Sequence, residues 1–327
     1  MKNIVFQALA DAARSGESVA LGIITGVKGS SPQKVGAKAL FYRDGRIKGT
    51  LGGGCLEAEI QQRAIQSLRT GESTTFDLLL DHDFGWDDGL ICGGKVFGVI
   101  LPDAQKAGAP FWNELAERRE KMSWEVQPDF KVVRSDFCLP TSALRPSTSA
   151  LYRETVTPPC ALWIAGAGHI AQAVAPLALQ LDFNVTVFDD RPALANHGFF
   201  PDEVALQVGE WETLGPLPLS EAPSFALIVT RGHRHDALVL KDWIHKPFLF
   251  LGMIGSARKA RTIFDHFAEE KIATAEEMAR VVCPVGIEIR SQSVPEIAVS
   301  IMAQYIAKRA ELVGEKQVST AAKVELV

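Results

Sequence analysis

Three observations predict an α/β protein whose C-terminal part is a Rossmann-like parallel sheet domain. A short apolar run, Ala161 to Ala165, feeds a glycine turn, Gly166-Ala-Gly168, that opens straight into a helical pattern. Downstream, short apolar runs alternate with helical patterns, as a parallel sheet with crossover helices requires. Upstream, runs rich in branched residues are separated by glycine-dense turns, which predicts a smaller α/β domain in front. The expected boundaries are 1–138 for the N-terminal domain, 139–159 for a Pro-rich linker and 160–327 for the Rossmann-like domain.

The 327 residues are 47% hydrophobic, enough to bury full cores in two domains. A net charge of -5 gives no global reason to expect nucleic acid or an anionic membrane surface as partner. No apolar run reaches membrane-spanning length, and Met1 to Ala12 lacks the pattern of a secretion signal, so a cytoplasmic location is expected. Cys55, Cys92, Cys138, Cys160 and Cys283 are scattered and form no C-x-x-C, which argues against a disulfide framework or a structural zinc site.

In the first domain, Asn3 to Arg14 has helical spacing, and Ser18 to Val27 and Ala37 to Tyr42 read as strands. Arg43 to Arg46 is a hairpin turn into Ile47 to Leu51. The loop Lys28 to Gly36, with Ser30 and Ser31, offers hydroxyls, amides and ammonium groups to an anion. Gly52, Gly53 and Gly54 run into a helix that extends to Gly71, which puts Cys55 at its N-terminus. There the helix dipole favours the thiolate, the form that binds metals and attacks electrophiles; the alternative is a small buried residue among glycines that permit tight packing. Ser73 to Leu80 and Lys95 to Leu101 read as strands around a loop holding Cys92, Gly93 and Gly94. The acidic residues of that loop, with His82, read as solvated or capping. Phe111 to Met122 reads as a helix and Lys131 to Phe137 as an edge strand.

In the second domain, Gly166 supplies the tight turn, Gly168 the close backbone approach and Ala171 the third small position of a dinucleotide-type fingerprint. Asn184 to Asp189 is the second strand, and Asp189 ends it where such folds hold a ribose hydroxyl. His169 and Gln172 put polar groups where a pyrophosphate turn is usually apolar. Val204 to Val208, Phe225 to Thr230 and Phe248 to Met253 read as the next strands. The fourth ends in Thr230-Arg-Gly-His-Arg-His-Asp236, which places His233 and His235 at the ligand edge of the sheet. An H-x-H pair with Asp can hold a metal, but contact with substrate is the favoured reading, and capping of a helix from Ala237 to Ile244 is the structural alternative. The fifth strand leads into a second glycine turn with Gly255, Ser256 and Arg258, where Arg258, Lys259 and Arg261 could clamp a phosphate. Ser293-Val-Pro-Glu296 matches a capping box that opens the last helix, and the tail beyond Leu312 is expected to be loosely ordered.

Gly29-Ser-Ser-Pro32 with Gly36, Gly52-Gly-Gly-Cys55 with Glu57, Gly89-Leu-Ile-Cys-Gly-Gly94, Gly-His-Arg-His-Asp236 and Leu251-Gly-Met-Ile-Gly-Ser256 together resemble the xanthine dehydrogenase accessory proteins of the XdhC/CoxI family. Cys283-Pro-Val-Gly-Ile-Glu-Ile289 is similar to the family's C-terminal signature, from which Arg290-Ser291 departs. The resemblance implies a chaperone that binds the molybdenum cofactor, a molybdopterin, presents it to a cysteine desulfurase and delivers it to a xanthine dehydrogenase-type apoenzyme. It implies a binding protein rather than an enzyme, and self-association as a homodimer fits it. Cys55 or Cys92 would supply a transient molybdenum contact.

The residues alone leave a second reading open: an NAD(P)-dependent oxidoreductase in which Asp189 holds the ribose and His233 or His235 acts as general acid or base. A metal-dependent hydrolase built on the His pair is the weaker third, because the spacing of a metallo-hydrolase site is missing.

Overall fold

The computed structural model describes residues 4–29, 31, 33–80, 94–135, 150–219, 222–313 and 318–320. These form two units, one running from Pro159 through the last long helix, the other comprising the residues before it together with a short terminal strand.

The first unit contains α1 (Ile4–Ser15), β1 (Val19–Lys28), β2 (Lys38–Tyr42), β3 (Ile47–Gly49), α2 (Gly54–Thr70), β4 (Thr74–Leu80), β5 (Gly94–Leu101), α3 (Ala109–Glu117), β6 (Met122–Val126), β7 (Val132–Ser135) and β8 (Tyr152–Val156). An antiparallel five-stranded sheet in the order β3-β2-β1-β5-β4 is its spine. Because side chains alternate along a strand, β1 feeds two cores. Ala20 and Ile24 pack with Leu56, Ile60 and Ala64 of α2 on one face. Val19, Leu21 and Ile23 pack on the other with Phe6 and Leu9 of α1, Trp112 of α3, and Trp124 and Tyr152 of the second sheet. Gly22 faces α2: a Cβ there would lie 3.0 Å from Phe41 and 3.1 Å from Leu51, so its absence lets α2 settle close to the sheet. The second sheet is tied to the first by a buried ion pair, Lys38 Nζ to Glu154 Oε2 at 2.8 Å. Lys38 also donates to the Tyr152 hydroxyl at 3.0 Å and the Gly36 carbonyl at 2.8 Å, which anchors the end of the Gly29–Gly36 loop.

The second unit contains β9 (Cys160–Ala165), α4 (His169–Gln180), β10 (Phe183–Asp189), β11 (Ala205–Val208), α5 (Trp211–Leu214), β12 (Ser224–Ile228), α6 (His233–Trp243), β13 (Phe250–Met253), α7 (Ala257–Glu269), α8 (Ala275–Ala279), β14 (Val281–Val282) and α9 (Val294–Val313). Its six strands are all parallel, in the order β11-β10-β9-β12-β13-β14. Every residue of β9 is buried, as a central strand covered on both faces must be. α4 and α9 cover one face, and α6 and α7 the other. The strand order reverses direction between β9 and β12, and the edge above that point is where such sheets bind ligands. A Rossmann-type second unit is what the glycine turn and the alternating runs predict.

Three expectations need correction. The helix beginning near Phe111 ends at Glu117, because Arg118 turns left-handed at φ 51° and Met122-Ser-Trp-Glu-Val126 alternates buried and half-buried as strand β6. Residues 152–156, inside the stretch read as linker, are strand β8, paired with β6 and burying Tyr152. In the tail, residues 318–320 form β15 (Val318–Thr320), antiparallel to β8, while residues 314–317 and 321–327 lie outside the described residues. Among the described residues no helix is long and apolar enough to cross a membrane.

The capping box at Ser293 is present: Glu296 N donates to Ser293 Oγ at 3.4 Å, and Glu296 Oε2 accepts from Ser293 N at 3.3 Å. A second box opens α8, where Thr274 N donates to Glu277 Oε2 at 2.8 Å and Glu277 N to Thr274 Oγ1 at 3.2 Å. The Thr274 amide, then His245 and the Thr274 hydroxyl, hold the Glu277 carboxyl down to about 2. A depressed carboxyl stabilises the fold fully above its ordinary value and loses that contribution as pH falls towards the depressed one. A carboxyl-carbon NMR titration is therefore expected to place the Glu277 midpoint near 2. The urea-midpoint advantage of the wild type over Glu277→Gln should hold at neutral pH and shrink below the ordinary carboxylate range; an ordinary midpoint would contradict the box.

Candidate functional site

The Gly52–Cys55 turn of the first unit is built by conformation. Gly52, Gly53 and Gly54 take φ values of 123°, 74° and 56°, a run of left-handed residues that glycine tolerates best. A Cβ on Gly53 or Gly54 would meet nothing within 4 Å, so these glycines are not there for close packing and the space before them is open. The chain then enters α2 with Cys55 half-buried as its second residue. Glu57, one turn in, reaches back: its Oε2 accepts from Leu51 N at 2.7 Å and Thr50 Oγ1 at 2.8 Å, and Thr50 Oγ1 accepts from Gly52 N at 3.1 Å. The carboxylate thus buttresses the turn at the head of α2, where the first amides have no intrahelical acceptor. Ser31 Oγ accepts from Gln33 N at 3.4 Å, and Gly94 opens β5 opposite Leu80. Ser30, Cys92 and Gly93, like the acidic loop around His82, lie outside the described residues.

In the second unit the glycine turn is built by crowding. Gly166 has φ 106°, and a Cβ there would lie 2.5 Å from the Val229 carbonyl oxygen and 2.9 Å from Thr230 Cα, so only glycine fits between β9 and β12. Both polar groups of the Ala167 peptide are satisfied within the unit. Its N–H donates to Asp189 Oδ2 at 2.6 Å, and its carbonyl accepts from Gln172 Nε2 at 3.0 Å. Asp189 is 1% exposed and its carboxylate is filled. Besides Ala167 N it accepts from Arg191 N at 2.9 Å, Arg191 Nε at 2.8 Å and Arg191 Nη2 at 2.8 Å. Burial pushes the carboxyl up, but the Arg191 guanidinium and the two amides outweigh it, so it lies below the ordinary value. Asp189 ends the second strand as expected, yet it holds the turn and an arginine. Gly168 has open space around its Cα, and His169 is exposed as the first residue of α4.

The H-x-H run opens α6 at His233, four residues earlier than expected, with Gly232 as a cap that makes no side-chain bond. His233 is exposed. His235 Nε2 faces the Arg231 guanidinium, which approaches through Nε at 3.1 Å and Nη2 at 2.7 Å, so that nitrogen serves as an acceptor. Asp236 is fully buried, accepts from Thr230 Oγ1 at 2.6 Å and Thr230 N at 3.2 Å, and is ion-paired with Lys259. Among the described residues no three His, Cys, Asp or Glu side chains converge as metal ligands would. In the second glycine turn Gly255 has φ 146°, and a Cβ there would lie 2.6 Å from Lys259 Cδ; Ser256 caps α7 through Lys259 N at 3.2 Å, and Arg258 is exposed. Lys259, expected to clamp a phosphate, folds inward over Gly255 to Asp236 and to the Ile254 carbonyl at 3.1 Å. Burial pushes the nearby Cys283 thiol up, and the Lys259 ammonium offsets this only in part.

A profile of the XdhC Rossmann domain matches residues 162–305, and one of the XdhC and CoxI family matches residues 12–79. The chain belongs to the XdhC and CoxI family. It is 26% identical to a Bacillus subtilis protein named as a probable xanthine dehydrogenase subunit, over 90% of this chain and 94% of that protein. It is likewise 26% identical to the molybdenum cofactor insertion chaperone PaoD of Escherichia coli, over 91% of this chain and 86% of the relative. A crystal structure described as a xanthine dehydrogenase from Bacillus halodurans shares the fold, with a TM-score of 0.78, 22% identity and 97% coverage of both chains.

Within this family's fold, the turns at Gly52, Gly166 and Gly255 are where sequence reasoning put them, but their supporting side chains are not. Arg191, Asp190, Arg231 and Thr230 went unread as site residues. The Asp-Asp-Arg run closing β10 was the available signal, since a carboxylate two residues before an arginine at a strand end can close a bidentate pair. Replacing Asp189 with Ala strands the buried Ala167 amide and leaves the Arg191 guanidinium without its main partner, and is expected to lower stability by about 3 kcal/mol. Urea unfolding measures it, and a loss below about 0.5 kcal/mol would mean the carboxylate does not hold the turn.

Proposed function

We propose that the chain is a carrier for the molybdenum cofactor: it holds the molybdopterin while an oxo ligand is exchanged for a sulfido ligand, and delivers it to a xanthine dehydrogenase-type apoenzyme. A cysteine desulfurase is the sulfur donor in this reading, two copies of the chain associate, and the work is cytoplasmic. The observation that carries it is the Gly52–Cys55 turn. Three successive left-handed glycines with open space before two of them bring helix-terminal amides and a half-buried thiol to the head of a 17-residue helix. That donor set suits an anionic cargo with a soft, sulfur-ligated metal centre.

Within this reading each residue has a plain task. The amides at the start of α2 bind anionic oxygens, the Cys55 thiol faces the metal centre, and Glu57 fixes the turn through Leu51 and Thr50. The relatives add support, since one curated relative over most of its length is named as a molybdenum cofactor insertion chaperone. Ribose recognition, the main support for an NAD(P)-dependent oxidoreductase, is weakened because the four hydrogen bonds to Asp189 come from Ala167 and Arg191.

The test mixes the full chain with free molybdenum cofactor, separates it by gel filtration and measures the pterin as its fluorescent oxidation product in the protein peak. The wild type should retain near one pterin per chain. Cys55→Ala should retain about tenfold less at limiting cofactor while melting at the same temperature, as loss of one metal contact predicts. Glu57→Gln should retain less through a loosened turn. No pterin in the wild-type peak would overturn the reading, and unchanged retention by Cys55→Ala would remove the thiol from it.

A further inference from the structure

The two strands beside β9 carry the chain past opposite sides of its glycine turn. On one flank Gly166 N donates to the Phe188 carbonyl at 2.7 Å, and Asp189 and Asp190 follow. On the other, the Val229 carbonyl and Thr230 crowd Gly166, and Arg231 follows. Beyond the turn the flanks meet: Arg231 Nη2 donates to Asp190 Oδ2 at 2.7 Å, while Arg191 Nε stands 3.6 Å from Asp190 Oδ1. Phe188, Asp189, Asp190, Arg231, Thr230 and Val229 thus close a ring around the turn. His235 Nε2 accepts from Arg231 Nε at 3.1 Å and holds the guanidinium in place. A phosphate ester that crosses the strand-order reversal in a sheet of this kind runs from the end of the second strand to the end of the fourth, which is the span this ion pair occupies.

We propose that the Asp190–Arg231 pair is a latch across the glycine turn, and that a phosphate ester enters by taking Arg231 from Asp190. The carboxylate is a stand-in for the ligand's anionic oxygens, and a guanidinium fork suits phosphate at least as well. The pair is poised for exchange: Asp190 is 14% exposed and Arg231 42%, so the arginine can swing without stranding a charge out of reach of water. His235 is then the positioning residue for that arginine, which accounts for the second histidine of the H-x-H run without a metal. The proposal rests on the carrier reading only for the identity of the ester, the pterin phosphate.

The latch is tested on the full chain with two probes, inorganic pyrophosphate by calorimetry and free molybdenum cofactor by retention. Asp190→Asn removes the competitor and keeps Arg231, so its dissociation constant for pyrophosphate should fall about threefold, the scale of a partly exposed ion pair. Arg231→Gln should raise it about tenfold, Arg231→Lys should fall between, and the double variant should behave as Arg231→Gln. Equal affinity in wild type and Asp190→Asn, weaker binding by Asp190→Asn, or no pyrophosphate binding by any of them overturns the latch. If cofactor retention is high and identical in every variant while pyrophosphate affinity does not move, the latch falls and the carrier stands. If pyrophosphate follows the expected order but the wild type retains no cofactor, the carrier falls and the latch stands.

Discussion

The ligand edge of the second unit depends on the carboxylate of Asp189. Four hydrogen bonds converge on one buried group, from the amide of Ala167, the amide of Arg191 and both arms of the Arg191 guanidinium. Removing a charge from water is unfavourable unless such partners are supplied, and here they come from two places in the chain, Ala167 and Arg191, that must both be correctly folded. The bond to Ala167 fixes the glycine turn against β10, the bonds to Arg191 set where the chain leaves that strand, and the neighbouring Asp190 is thereby presented to Arg231. A fold usually associated with nucleotide binding therefore uses its ribose carboxylate as a structural clasp.

The same economy recurs one strand pair away. Asp236, fully buried at the start of α6, takes Thr230 on one oxygen and the Lys259 ammonium on the other, so a lysine that could meet a phosphate instead knits α7 to α6. The first unit uses its glycines in the opposite way. Around Gly166 and Gly255 the missing Cβ makes room for backbone or side chain; around Gly53 and Gly54 there is nothing to make room for, and the residues are glycine because of their dihedral angles. Crowded glycines lock a structure, as at Gly166 and Gly255, whereas at Gly53 and Gly54 the dihedral angles alone demand glycine and the space beside them stays open.

Much of the fold was legible because its signals are local. The Ala161 to Ala165 run with its glycine turn, the hairpin at Arg43 to Arg46 and the box at Ser293 each follow from residues within a few positions of one another. Strand β6 was hidden because the helical pattern from Phe111 runs on to Met122 in the sequence although Arg118 ends the helix, and β8 because Tyr152 to Val156 adjoins prolines that read as linker. At the site, the sequence showed the glycines and Asp189 but not what they hold. The pairs Asp190–Arg231 and Asp236–Lys259 join residues 41 and 23 positions apart, and only the strand order brings them together.

The claim that most needs testing is that Asp189 is committed to Ala167 and Arg191 and does not hold a ribose, so that nicotinamide dinucleotides find no ribose site at the turn. Titrating the purified full chain with NADH, following quenching of its tryptophans and energy transfer to the nicotinamide, tests this directly. The account predicts no saturable signal up to about millimolar NADH, the weak end of specific binding. Saturable binding at micromolar NADH, lost in Asp189→Asn, would contradict it and return the second unit to the dehydrogenases.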